Sequence, residues 1–190
     1  MRRWGWALFA AAAVLALPPA RAATAQAPVN LRIGWAQVGH VTPMYDILRK
    51  SHPELFPHYG KTYTFEGERF NGSTPQIQAV AVGELEVAAL APSSFTLAVT
   101  NAQLDMRMVC DLIQDGKKGW FDEPYVVRKD GPIKTIADVK GKRIATNAIG
   151  SASDNAMRIM FRKHGIKDSD FNTVETSFAN MFAMIEGGKV

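Results

Sequence analysis

The chain has a single cysteine, Cys110, in 190 residues. One thiol cannot form an internal disulfide, so a stapled mini-scaffold is excluded and an apolar core must hold the fold. Cys110 sits in the strand-like run Met108-Val109-Cys110, which points to a buried, inert side chain. No apolar run reaches the ~18 residues of a membrane-spanning helix. The longest, Trp6 to Leu17, stops at Pro18-Pro19. There is no HExxH, no P-loop and no GxGxxG, so the common signatures of zinc, nucleotide-phosphate and dinucleotide chemistry are lacking. Charge of one sign is lacking as well. The chain carries 22 Lys+Arg against 18 Asp+Glu, and setting aside Arg2, Arg3 and Arg21 of the leader leaves 19 against 18. The basic residues do not interleave with aromatics, so nucleic acid is excluded as a partner.

What is present begins with that leader. Arg2-Arg3, the apolar run, and the small-x-small steps Ala20-Arg21-Ala22 and Ala23-Thr24-Ala25 read as a cleaved secretory signal over residues 1–25. The expected location is the periplasm. Whether export follows the general secretory or the twin-arginine route stays open. No cysteine follows the run to carry a lipid. Roughly 165 residues remain, enough for one domain or two small lobes.

Strand and helix patterns then alternate. Strands are expected at 31–36, 63–70, 86–90, 107–113, 125–128, 142–146 and 173–176. Helices are expected from Thr42-Pro43 with the stripe Met44, Ile47 and Leu48, from Thr74-Pro75 to Gly83, over 95–102, over the 150s to Gly165, and over 180–186. In the fourth helix Ala156, Met157, Met160 and Phe161 form the apolar stripe, with Arg158 and Arg162 opposite. Such alternation implies a mainly parallel α/β fold, whose ligands bind beyond the carboxyl ends of the strands.

Those ends carry a recurring chemistry: Gln37, His40 and Thr42; Asn71, Ser73 and Thr74; Ser93 and Ser94; Asn147, Ser151 and Ser153; Thr176, Ser177 and Asn180. These are neutral donors at helix N-termini, where first-turn N–H groups lack intrahelical partners. They suit a small anion or polar molecule that must be gripped and released. Thr42 and Thr74 are also explained as helix caps, and Ser151 and Ser153 are both N-cap candidates. Trp35, Trp120, Phe121, Tyr125 and Phe178 are candidates for an apolar wall or for ordinary core packing. Of the histidines, His52 and His58 lie in a proline-flanked segment and His164 at a helix C-terminus, leaving His40 alone in a ligand-facing loop.

The segments Leu31–Ala36, PQIQAVAVGELEVAALAPSSF, DVKGKRIATNAIGSASDNAMRIMFRKHGI and TVETSFANMFAMIEGGKV resemble, in order, the substrate-binding proteins of ABC importers of the nitrate/sulfonate/taurine class. Glu86 stands where that family commonly has Asp. The resemblance implies a two-lobed type II periplasmic-binding-protein fold, with mainly parallel sheets flanked by helices. Lobe one would cover 26–112 and lobe two 113–190, the second cut short relative to the family, so that the chain is its N-terminal portion. It further implies a monomeric receptor without cofactor, metal or catalytic residue, delivering a small solute to a membrane permease. The ligand-binding residues so implied are Gln37, His40, Ser73, Ser93, Ser94, Ser151, Ser153 and Phe178. The alternatives are an enzyme on the same fold, of pyrimidine-synthesis or desulfinase type, and an extracytoplasmic sensor domain.

Overall fold

The computed structural model describes residues 26–36, 42–113, 116–119 and 123–190. The leader lies outside the described residues. Ten main elements follow in strict alternation: β1 (Val29–Trp35), α1 (Thr42–Ser51), β2 (Tyr63–Arg69), α2 (Ser73–Ala81), β3 (Val87–Ala88), α3 (Pro92–Thr100), β4 (Arg143–Thr146), α4 (Ala152–Lys163), β5 (Asn172–Glu175) and α5 (Phe178–Glu186).

Two parallel sheets result. The first has the order β2-β1-β3, with Val29 opposite Tyr63 through Trp35 opposite Arg69, and Ile33 opposite Val87. The second pairs β4 with β5, Arg143 opposite Asn172 through Thr146 opposite Glu175. Every paired strand is followed by a helix, as parallel pairing demands.

The second sheet is covered by α4. Met157, Phe161, Ile166, Phe171 and Val139 are buried together, with Ile133, Ile136, Ile144 and Met160 against them. The Phe161 and Phe171 rings meet edge to face at 5.1 Å. The stripe is shifted from expectation: Ala156 is exposed, while Arg158 lies on the packed side, over the Phe171 ring at 5.5 Å and 18% exposed.

The first sheet is held differently. Its buried apolar residues are Ala36, Ala79, Leu85, Ala89 and Ala98. Half-buried aromatics Tyr45, Phe56 and Tyr59 pack around Phe65 of β2. Ile47 of the expected α1 stripe is 64% exposed, and Tyr45 takes its place against the sheet. Gln76 is fully buried and staples α2 to the end of β3. Its Nε2 donates to the carbonyls of Gly72 and Ala89, and its Oε1 accepts the Ala89 N–H. Gly34 makes room for it, since a Cβ there would lie 2.6 Å from Gln76 Oε1.

Two expected strands do not form. Residues 107–113 and 125–128 are irregular, and Met108, Val109, Val126 and Val127 are more than half exposed. Their residues suit a strand, but a strand exists only when a neighbour takes its N–H and C=O groups, and no described strand lies beside them. Cys110 is consequently exposed, not buried. The third strand is shorter than expected, although Glu86 N and Ala89 N still donate to Arg32 O and Gly34 O.

Candidate functional site

The carboxyl ends of β1 and β3 and the N-termini of α2, α4 and α5 surround a cavity of about 570 Å³. Ala36, Ser73, Leu90, Asn147, Ser151, Ser153 and Phe178 all line it, together with the irregular segment 105–113. A second hollow, at Arg162 and 165–169, is a shallow surface depression beyond the other end of α4.

The first turn of α4 is the most organised part of the wall. Ser151 is the N-cap: its hydroxyl accepts the Asp154 N–H at 3.5 Å and donates to Asn147 Oδ1 at 2.8 Å. The cap leaves the amides of Ala152 and Ser153 without intrahelical partners, and both residues line the cavity. Ser153 is not the cap. Its hydroxyl donates to Glu123 Oε1 at 2.7 Å, while its carbonyl accepts from the Tyr125 hydroxyl.

Asp154, a carboxylate in the first turn, would repel an anion if it faced the cavity. It does not. It is 1% exposed and its Oδ2 accepts from Gly150 N and from Arg158 Nε, at 3.0 and 2.9 Å. The carboxylate is thus turned into the loop and neutralised by an arginine. Glu86, at the foot of the cavity, is likewise engaged. Its carboxylate accepts from Arg32 N, Nε and Nη2, which holds its pKa at about 2 against an ordinary 4.5.

The eight expected ligand residues divide. Ser73, Ser151, Ser153 and Phe178 share the cavity wall. Ser73 is buried, and its hydroxyl accepts the Ala91 N–H, tying α2 to the start of α3. Ser94 is buried behind the wall and donates to Gly150 O at 3.3 Å. Ser93 is exposed and outside the lining. Gln37 and His40 lie outside the described residues. Thr74 caps nothing: the cap of α2 is Gly72, and the Thr74 hydroxyl donates to Ile149 O at 2.8 Å. Among the expected wall aromatics, Phe178 lines the cavity, whereas Trp35 stacks under Arg69 at 5.5 Å. Trp120 and Phe121 lie outside the described residues.

Sequence reasoning did not single out Phe95, Tyr45 and Glu123, which also line the cavity, and it named Asn147 among the loop donors without placing it in the ligand set. Asn147 carried a signal, as a polar residue between a strand and a serine-rich helix start. Phe95 and Tyr45 carried none, because an aromatic on an amphipathic helix reads first as core.

Residues 68–190 match a family model described as NMT1/THI5 like. A curated Escherichia coli (strain K12) protein, described as binding aliphatic sulfonates, is 27% identical over 185 residues, which is 95% of this chain and 53% of that protein. Among solved structures, the alkanesulfonate-binding protein SsuA from Xanthomonas axonopodis pv. citri, bound to MOPS, superposes with a TM-score of 0.56 at 25% identity. That match covers 87% of this chain and 54% of the other. A protein from Bordetella bronchiseptica RB50 superposes with a TM-score of 0.58 at 19% identity, over 85% and 49% of the two chains, a likeness of fold. The chain spans about half the length of these proteins.

Proposed function

The chain belongs to the NMT1/THI5-like family and has the fold of the SsuA-like periplasmic binding proteins, and we propose that it is a solute-binding component of an ABC-type importer. In this reading residues 26–112 and 113–190 belong to two lobes, the cavity between their sheets is the solute site, and the protein acts in the periplasm. The solute is a small anionic or polar organic molecule, and its class is that of sulfonates, carboxylates or nitrate. The partner is a membrane permease, and the receptor works as a monomer without catalytic chemistry.

One observation carries the proposal: the amides of Ala152 and Ser153 open α4 onto a cavity, with Asp154 of the same turn drawn inward to Arg158 and the lining carboxylate of Glu86 held by Arg32, while Glu123, which lines the cavity with Asp105 and Asp111, accepts from the Ser153 hydroxyl. First-turn amides and the positive end of the helix dipole favour an anionic group, at about 0.3–1 kcal/mol for the dipole alone. Phe95 and Phe178 supply apolar walls for an organic tail. Neutral donors hold such a group without the large desolvation cost of a buried ion pair, which suits a receptor that must release its cargo. Isothermal titration of the chain with butanesulfonate, MOPS, acetate and nitrate tests this. The expected result is saturable binding of at least one organic anion, weakened by Phe178→Ala. Binding of none, or equal binding by a Phe178→Ala, Ser151→Ala double variant, would overturn it.

A further inference from the structure

The loop that precedes α4 joins the two sheets. Asn147 and Ala148 are each 5% exposed and Ser151 1%, a low exposure for a polar connection. Its N–H groups at 149 and 150 donate to Glu175 Oε1 and Asp154 Oδ2 on its own side, while its side-chain amide and two of its carbonyls are met from the first-sheet side. Asn147 Nδ2 donates to Asn71 O at 2.8 Å. Thr74 Oγ1 donates to Ile149 O and Ser94 Oγ to Gly150 O. Gly72 lets the loop come this close: a Cβ there would stand 2.5 Å from Asn147 Nδ2 and 3.1 Å from Ala148 Cβ. The other end of the Asn147 amide faces the helix, where Oδ1 accepts the Ser151 hydroxyl and that hydroxyl in turn caps α4.

We infer that Asn147 is a positioning residue for the proposed site, one amide that both clasps the 147–151 loop to the first sheet and sets the cap of α4. The chemistry requires an amide. Asn71 O can only accept, so the group facing it must be a donor. Ser151 needs an acceptor for its proton, so the other atom must be a carbonyl oxygen. Closing the clasp therefore turns the first-turn amides of α4 to the cavity. By linkage, a solute that engages those amides strengthens the clasp by the same factor that the clasp strengthens the solute. This inference rests on the cavity being the solute site, but its first test does not.

That test is hydrogen exchange in the ligand-free chain. Asn147→Asp keeps the acceptor for Ser151 and removes the donor to Asn71. The amides at 149–151 donate to Glu175, Asp154 and the Ala148 carbonyl, so they exchange when the whole loop lifts, and losing the hydrogen bond that holds the loop down should speed their exchange by about threefold or more. Exchange at Met157 to Phe161 should stay as in the wild type. Asn147→Ala should also expose the Asp154 amide, because the cap loses its anchor. Gly72→Ala, whose Cβ would press on Asn147 Nδ2 and Ala148 Cβ, should speed exchange at 149–151 as Asn147→Asp does. The dissociation rate of butanesulfonate should rise in all three variants, and the melting temperature should fall for Asn147→Asp, which sets a buried carboxylate against the Asn71 carbonyl. Wild-type exchange at 149–151 in both Asn147→Asp and Gly72→Ala would overturn the clasp. A uniform rise across 143–175 in Asn147→Asp would reduce Asn147 to a general stabiliser. If wild type binds none of butanesulfonate, MOPS, acetate and nitrate, the solute proposal fails alone and the exchange experiment still decides the clasp.

Discussion

The two sheets are built on the same alternation and held by opposite means. Around the second, a contiguous apolar cluster from Val139 to Phe171 includes and surrounds α4. Around the first, four of the five buried apolar residues are alanines, and a buried amide, Gln76, sets the join between α2 and β3. The difference teaches where precision is needed. Apolar burial is non-directional and tolerates small shifts. A buried amide works only when every donor and acceptor is met, so it specifies one geometry. The first sheet, with its polar staple, fixes the floor of the cavity. The second, with its apolar core, carries the helix whose first turn faces that cavity.

Phe161→Ala should produce the largest effect, a loss of about 3–5 kcal/mol, because it empties the centre of the cluster and removes the partner of Phe171. Chemical denaturation would read it. A loss under about 1 kcal/mol would mean that the second sheet is not held by its apolar core. Gln76→Leu challenges the other half of the comparison. It leaves the Ala89 carbonyl and the Gly72 carbonyl without the amide, and about 1–3 kcal/mol should be lost. If Gln76→Leu is neutral or stabilising, the first sheet is held by burial after all.

A smaller effect separates the sheets by pH. Glu86 has a folded pKa of about 2 against an ordinary 4.5, lowered chiefly by the Arg32 hydrogen bonds. A depressed carboxylate contributes stability that is present above pH 4.5 and is lost as the pH falls toward about 2. Glu86→Gln should flatten that stretch of the stability profile and leave the exchange of Met157 to Phe161 amides untouched. An unaltered acid limb would show that the Arg32–Glu86 pair contributes nothing to the first sheet. Ser93→Ala should do least. Its side chain is exposed and outside the cavity lining, so stability should stay within about 0.5 kcal/mol and solute affinity should be unchanged. A clear loss of affinity would return Ser93 to the site.

Elements with a strong local pattern were legible in the sequence. The β4–α4–β5 unit was read within a residue or two, because its apolar period, its serine-rich start and its Gly165 stop all agree. The two segments at 107–113 and 125–128 were misread for the same reason: β-branched and sulfur-containing residues favour a strand, yet propensity does not supply a partner. Half of the candidate site was legible too. Ser73, Ser151, Ser153 and Phe178 follow from the rule that ligands meet the carboxyl ends of parallel strands, and the structure brings them to one wall. What each hydroxyl does there was not legible. Ser94 and Thr74 turned out to hold a loop of the other sheet, and Asp154 turned inward to Arg158.

The sequence by itself determined the alternation of strand and helix, the parallel pairing this implies, and the chemical character of the loops, because period and capping are local properties of neighbouring residues. Only the tertiary structure decided which hydroxyls line the cavity, which ones clasp the two sheets, and that Asn147 joins both tasks. The hydrogen bond from the Asn147 side-chain amide to the Asn71 carbonyl, 2.8 Å long, depends on two loops far apart in sequence coming together, and that approach exists only after Gly72 and the alanine-rich interior have let the sheets close together.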